Sequence, residues 1–200
     1  GSEMCIRDSI IITTGPLEEE IKYFVAKRFA DLNVTYINNP DYKKTNYIYS
    51  LWLVKRFTEG EDIILAHGDL VYDFKLMERL IDENKSCVLV KEGNKNILRK
   101  DFKAKIENGL ITEIGVDVFG KNVKNCVPLY KIMKEDYGEW LKEIEKFIKE
   151  GRLQSYAEDA FNNVSDKIRL HPLFYNEELC MEVDNFEDFK KVKESLNLLA

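Results

Sequence analysis

Ile63-Ile64-Leu65-Ala66-His67-Gly68-Asp69 is an apolar run that stops at a glycine and an aspartate. In an open α/β sheet, ligands gather in the crevice beyond the carboxyl ends of the strands, so an aspartate directly after a buried strand faces that crevice. Gly68 allows the close backbone approach that a bound ligand needs. The competing reading makes Asp69 a cap for the helix beginning near Phe74, since aspartate is a preferred N-cap. Cys180-Met181-Glu182-Val183-Asp184-Asn185 repeats the pattern far downstream. Asp184 is there either a second crevice carboxylate or the cap of the last helix, whose first turn, Asn185-Phe186-Glu187-Asp188, is acidic. Mg2+ on nucleotide phosphates takes only one or two protein carboxylates, so two such aspartates suffice for a metal site.

Outward from Asp69, strands and helices alternate. Ile10 to Thr14 is β-branched, and Gly15-Pro16 leads into a helix with Glu18, Glu19 and Glu20 at its start and Ile21, Phe24, Val25 and Phe29 at helical spacing. A strand at Val34 to Ile37, a helix from Tyr47 to Phe57, the strand from Asp62 to Ala66, a helix from Phe74 to Ile81 and a strand at Cys87 to Val90 follow. This order predicts an α/β fold with a three-layer, doubly wound, mainly parallel, Rossmann-like sheet. Segments 102–106 and 110–114 alternate about Asn108-Gly109, a hairpin excursion. A strand at Val127 to Tyr130, a helix from Lys134 to Glu150 ending at Gly151, a short helix from Tyr156 to Phe161, a strand at Ile168 to Leu170 and a helix from Asn185 to Leu198 complete the pattern.

Two hundred residues, 44% hydrophobic, suit one globular domain. A net charge of −6 argues against a nucleic-acid surface, which needs clustered cations. No apolar run approaches the roughly 18 residues of a membrane span, so a cytoplasmic protein is expected. The four cysteines are scattered without CxxC spacing, and three are expected as buried thiols. His67 and His171 stand far apart, which argues against zinc, and His67 reads more readily as a packed strand-end residue than as a ligand. Residues 1–9 lack periodicity and read as an appended scar, leaving 10–200 as a single domain.

Four ordered motifs add a resemblance: Asn39-Pro40-x-Tyr42-x-x-Thr45-Asn46-x-x-Tyr49-Ser50-Leu51, Gly68-Asp69-x-Val71, Tyr156-x-Glu158-x-Ala160 and Glu182-Val183-Asp184. Together they resemble the phosphocholine cytidylyltransferases, themselves similar to sugar-phosphate nucleotidyltransferases. The resemblance implies transfer of CMP from CTP to a phosphorylated small molecule, with release of pyrophosphate. It implies that Asp69 and Asp184 hold Mg2+ and act as the catalytic pair. Thr45, Asn46, Ser50 and Gly68 would meet the nucleotide, and Tyr156, Glu158 and Glu182 the acceptor, with Glu182 behind the metal ligands orienting one of them or meeting a cationic amine. Bland readings remain beside these: Asn46 a cap, Ser50 a helix-surface hydroxyl, Tyr156 a core ring. Lys131 reads as a solvated lysine rather than as a phosphate ligand.

The sequence departs from that family in two places. The Gly-rich loop with Arg and Pro-Lys that cradles the triphosphate has no counterpart, and Ile10 to Gly15 match the family's second strand. Weak or no activity of this chain is therefore expected, since the lost donors would otherwise stabilise phosphate charge. The bared sheet edge predicts self-association as a homodimer. Ala157, Cys180 and Met181 stand where choline-type sites carry aromatic rings, which points toward another acceptor such as an aminoethylphosphonate-like compound. The alternatives are a sugar-1-phosphate nucleotidyltransferase and a non-catalytic nucleotide-binding module.

Overall fold

The computed structural model describes residues 9–93 and 101–198; residues 1–8, most of the expected scar, lie outside them. The chain separates into two compact units, residues 1–57 with 144–157, and residues 58–143 with 158–200.

In the first unit, β1 (Ile10–Thr14) and β2 (Val34–Asn38) pair in parallel from Ile10↔Val34 to Thr14↔Asn38, joined by α1 (Glu18–Arg28). The α1 N-terminus has no side-chain cap of its own. Glu18 instead anchors it, accepting from Thr14 Oγ1 at 2.5 Å and Asn38 Nδ2 at 2.7 Å and pairing with Lys22. These partners hold the Glu18 carboxyl down to about 2, the Lys22 bond first among them, because each stabilises the ionised form. The apolar residues at helical spacing are not enclosed: among the described residues α1 buries none of its own, and the Phe24 ring and that of Phe29, at the C-cap, are exposed. The expected helix from Tyr47 is split into α2 (Tyr47–Leu53) and the short turn of α3 (Lys55–Thr58), with Ile48 and Leu51 buried.

The second unit is built on a mixed sheet: β7 (Leu110–Gly115), β6 (Lys103–Glu107), β8 (Val123–Ile132), β5 (Cys87–Lys91) and β9 (His171–Tyr175) in spatial order, with β3 (Ile63–Ala66) also on β8. The α/β class holds, and β5 is the continuous apolar run of a strand covered on both faces, with Val88, Leu89 and Val90 inaccessible. Strand direction is more mixed than the helix–strand alternation suggested: β5–β9 is parallel, whereas β3–β8, β5–β8, β6–β8 and β6–β7 are antiparallel. The reason lies in the connection. Parallel pairing needs a crossover of a dozen or more residues, and the hairpin before β8 brings the chain back without one. Asn108 and Gly109 both take positive φ (51° and 78°), as a two-residue type I′ turn requires.

The ten-residue β8 extends the expected Val127 to Tyr130 at both ends. In the fold Pro128 falls where the β5–β8 register shifts, a place where its missing N–H is tolerated. The ninth strand lies at 171–175 rather than 168–170, with Pro172 on a strand at the end of the sheet order. Helix α5 (Lys134–Lys149) ends as read: Gly151 has φ 74°, Gly151 N donates to Ile148 O and Arg152 N to Phe147 O, a Schellman close. The short helix α6 spans Ala157–Asn162 and the last helix, α7, Phe186–Leu198.

Two three-residue strands escaped the sequence reading. β4 (Leu70–Tyr72) pairs antiparallel with β10 (Cys180–Glu182) as Leu70↔Glu182, Val71↔Met181 and Tyr72↔Cys180. The ladder continues at both ends, through Val183 N to Asp69 O at 2.9 Å and Asp73 N to Leu179 O at 2.7 Å. Beneath it, Leu76 and Leu80 of α4 (Phe74–Asp82) join Cys87, Leu89, Leu129, Tyr175 and Cys180 in a buried cluster that also packs Leu70 and Tyr72. Cys87, Cys126 and Cys180 are buried free thiols, as expected. Among the described residues no helix is long and apolar enough to cross a membrane.

Candidate active site

Asp69 is not a helix cap. Asp73 caps α4 instead, its carboxylate accepting from Lys75 N at 3.0 Å, while Asp69 sits exposed in the turn between β3 and β4 closed by Leu70 N to His67 O. Asp184 is not the cap of α7 either, since Asn185 Oδ1 accepts from Glu187 N and Asp188 N. Neither aspartate is therefore the cap seen on the helix that follows it. Val183 N on Asp69 O ties the Asp69 turn to the Glu182–Asp184 segment, so the two acidic stretches meet through backbone bonds rather than by mobile side chains.

One consequence was not legible beforehand. His67, Asp69 and Glu182 each place a ligand atom within 4.8 Å of the others. His67 follows the last β3–β8 pair, and its N–H donates to Pro128 O, which fixes the backbone at that point. Its ring lies edge-on to Phe102 at 6.5 Å, and Nδ1 stands 3.9 Å from Glu182 Oε1. Burial pushes the imidazole below its ordinary value, against the pull of the Asp69 charge. The ring is packed at the strand end, and the Glu182 carboxylate lies beside it and Asp69, whereas Asp184, two residues on, does not belong to this trio.

Gly68 is exposed, a Cβ there would meet nothing within 4 Å, and it needs no left-handed backbone. Among the described residues no neighbour demands a glycine here.

In the first unit, Thr45 and Ser50 gather around Asn39. Asn39 is buried; its Nδ2 donates to Thr45 Oγ1 at 3.0 Å and Ser50 Oγ at 3.1 Å, and its Oδ1 accepts from Asp41 N at 3.0 Å. Thr45 Oγ1 passes the chain on to Asp41 O. Asn46 does cap α2, accepting from Tyr47 N at 2.7 Å, and its own N–H donates to Leu153 O. Ser50 is a partner of Asn39 rather than an idle surface hydroxyl.

Glu158, expected to face an acceptor, is completely buried and accepts from Tyr130 Oη at 2.6 Å, in contact range of the Tyr130–Trp140–Phe161 ring stack. Tyr156 is 37% exposed, so it is no core ring. Lys131 is half-buried, and its Nζ donates to Ile81 O and Glu83 O at the end of α4.

With this geometry the chain superposes on solved nucleotidyltransferases. CTP:phosphocholine cytidylyltransferase from Streptococcus pneumoniae matches with TM-score 0.74 and 21% identity over 96% of this chain and 79% of that one. The fold is that of the nucleotidyltransferases. Inositol-1-phosphate CTP transferase from T. maritima shares it at TM-score 0.70 and 16% identity, over 93% of this chain and 74% of that one. A UDP-glucose pyrophosphorylase complexed with UDP-glucose does so at 0.69 and 10%, over 96% and 82%. Among curated sequences, a CMP-5'-(3-aminopropyl)phosphonate synthase of Streptomyces rubellomurinus is 30% identical over 71 residues, which are 36% of this chain and 11% of that protein. No protein-family model matches the chain. On the nucleotidyltransferase frame, the Asp69 turn and the Glu182–Asp184 segment supply a set of hard oxygen donors, the chemistry that suits a divalent cation bound to phosphates.

Proposed function

We propose that residues 10–200 form one nucleotidyltransferase domain that transfers CMP from CTP to a phosphorylated or phosphonate small molecule. The observation carrying this reading is the β4–β10 ladder, which holds Asp69 beside Glu182–Asp184 within a nucleotidyltransferase fold. The names of three similar proteins, two CTP-using transferases and one CMP–phosphonate synthase, support cytidine as the base.

In the reaction an acceptor oxygen attacks the α-phosphorus of CTP, a new P–O bond forms, and the bond to the bridging oxygen breaks with its electron pair leaving on pyrophosphate. No protein nucleophile is needed, so positioning and charge offset supply the catalysis. Mg2+, held by Asp69 and Asp184, would neutralise charge on the phosphate oxygens. The chain's own part is to aim these carboxylates from a rigid ladder. Thr45 and Ser50, preset by Asn39, and Asn46, which caps α2, would meet the base and ribose, and Gly68 would meet the phosphates. Tyr156 offers an exposed face to the acceptor, and buried Glu158 acts by holding Tyr130. A cytoplasmic setting and a homodimer belong to the same reading.

The test is a single-turnover assay with excess protein, α-labelled CTP, Mg2+ and a panel of phosphocholine, aminoethylphosphonate, inositol 1-phosphate and glucose 1-phosphate. A CDP-linked product with one of the first three supports the reading. Product formed only from UTP and glucose 1-phosphate would move the assignment to the sugar nucleotidyltransferases, whose fold is equally shared. No product from any pair, with no nucleotide bound, would reject it.

A further inference from the structure

We propose that α1 carries a two-fold, antiparallel contact with α1 of a second copy of this chain, centred on Tyr23 and Phe24. The inference gives a face to the homodimer of the reading above and stands without the transferase chemistry.

A surface helix turns its apolar stripe to the core and its polar face to water. α1 does otherwise. Among the described residues it buries none of its own, and Tyr23 and Phe24 are 69% and 56% exposed. Phe29 at the C-cap is 52% exposed and extends the patch, its ring centroid 6.5 Å from that of Phe24. At about 150 to 250 Å2 per ring, the three leave on the order of 300 to 450 Å2 of aromatic surface in water. That matches the largest apolar patch of a typical monomer, and such patches mark association surfaces.

Charge selects the occupant. Glu20, Tyr23, Phe24 and Lys27 follow the i, i+3, i+4, i+7 spacing of one helix face, and all four are exposed. The first turn is acidic at Glu18, Glu19 and Glu20, and the last is basic at Lys27 and Arg28. The macrodipole favours that charge order in any helix, but it does not call for exposed rings between the charged turns. A two-fold axis between Tyr23 and Phe24 sets Glu20 of one copy against Lys27 of the other, Glu19 against Arg28 and Tyr23 against Phe24, each contact made twice. A parallel arrangement would instead set the three glutamates against their own copies. Lys27 Nζ already lies over the Tyr23 ring, 5.7 Å from its centroid, which keeps its charge on this face. Glu19 pairs with Lys22 within its own helix, so Glu20 and Lys27 are the pair that reports the contact. The patch is small beside the roughly 800 Å2 per partner of a standard interface, so the dimer is a reversible one.

Sedimentation velocity of the full chain without nucleotide, over a concentration series, reads the association directly. Expected is a reversible rise from the mass of one chain to that of two. Phe24→Arg should weaken the dimer at least about tenfold, since an aromatic ring at the centre of an interface is worth that much or more. Glu20→Lys should weaken it about threefold or more, because both symmetry-related pairs turn repulsive, and Glu20→Lys combined with Lys27→Glu should restore it. Seven residues apart on one helix, these side chains lie beyond the i, i+4 neighbours that interact, so the restoration reads a contact between copies. Circular dichroism should show every variant folded, because α1 buries none of the substituted side chains. A chain monomeric at every concentration, a dimer that Phe24→Arg leaves intact, or a double variant no stronger than Glu20→Lys would overturn the proposal. A dimer formed by a chain that makes no CDP-linked product would keep this inference and reject the transfer reaction, and product made by a monomer would do the reverse.

Discussion

Replacing Asn39 with alanine removes the hub of the first unit's candidate nucleotide surface. The side chain makes three hydrogen bonds, to Thr45 Oγ1, Ser50 Oγ and Asp41 N, at 3.0, 3.1 and 3.0 Å. At about 1 kcal/mol net for each, the ceiling is about 3 kcal/mol. Thr45 and Ser50 are half-buried and recover water once released, so a loss of about 2 kcal/mol is expected. For a chain of this size that corresponds to about 4–8 °C in Tm. Asn39→Asp separates geometry from bonding. It keeps the acceptor for Asp41 N, but Thr45 Oγ1 already donates to Asp41 O and cannot also donate to a carboxylate. Aspartate therefore meets a lone pair where the amide offered a proton, and it should cost at least as much as alanine. The assay is urea unfolding followed by circular dichroism and by tryptophan fluorescence, with each transition fitted separately because the chain has two compact units. A loss below about 0.5 kcal/mol for Asn39→Ala, or an Asn39→Asp variant as stable as the wild type, would refute the reasoning.

Gly68→Ala should leave thermal stability unchanged or slightly raised, because a Cβ meets open space and the unfolded chain loses freedom, yet it should weaken CTP measured by calorimetry; unchanged affinity would remove Gly68 from the binding surface. Tyr130→Phe deletes a buried donor to Glu158 and should cost about 1 kcal/mol in urea unfolding, the typical net worth of one hydrogen bond, with a near-neutral result contradicting the role given to that pair. For Glu18 the folded pKa is lowered to about 2 from 4.5, so its stabilisation is fully present above 4.5 and fades as pH falls from there through 2. Carbon-13 carboxyl titration by NMR should place its midpoint near 2, and an ordinary midpoint would show that the Thr14, Asn38 and Lys22 contacts do not persist in solution.

The readable parts of this sequence were those governed by local rules. Asn108-Gly109 announced the hairpin, Gly151 the end of α5, and the run into Asp69 the strand that presents it. What stayed hidden depends on partners distant in the chain. β4 and β10 have three residues each, too few for an alternating pattern, yet their pairing is what joins Asp69 to Glu182. That pairing also brings the Glu182 carboxylate beside His67, with Oε1 3.9 Å from Nδ1. Pro128 and Pro172 both lie within strands, one at a register shift and one on a strand at the end of the sheet order, where a missing N–H is tolerated. Glu158 shows the opposite failure: a motif carboxylate that looked like a surface group is enclosed and spent on Tyr130.

The most direct test of the central claim is isothermal titration of the chain with CTP, UTP, GTP and ATP in the presence of Mg2+, beside Asp69→Asn. Binding selective for CTP, and at least about tenfold weaker once Asp69 can no longer ligate, is the predicted result. Equal binding of all four nucleotides, or CTP affinity untouched by Asp69→Asn, would contradict a cytidylyltransferase site at the β3–β4 turn.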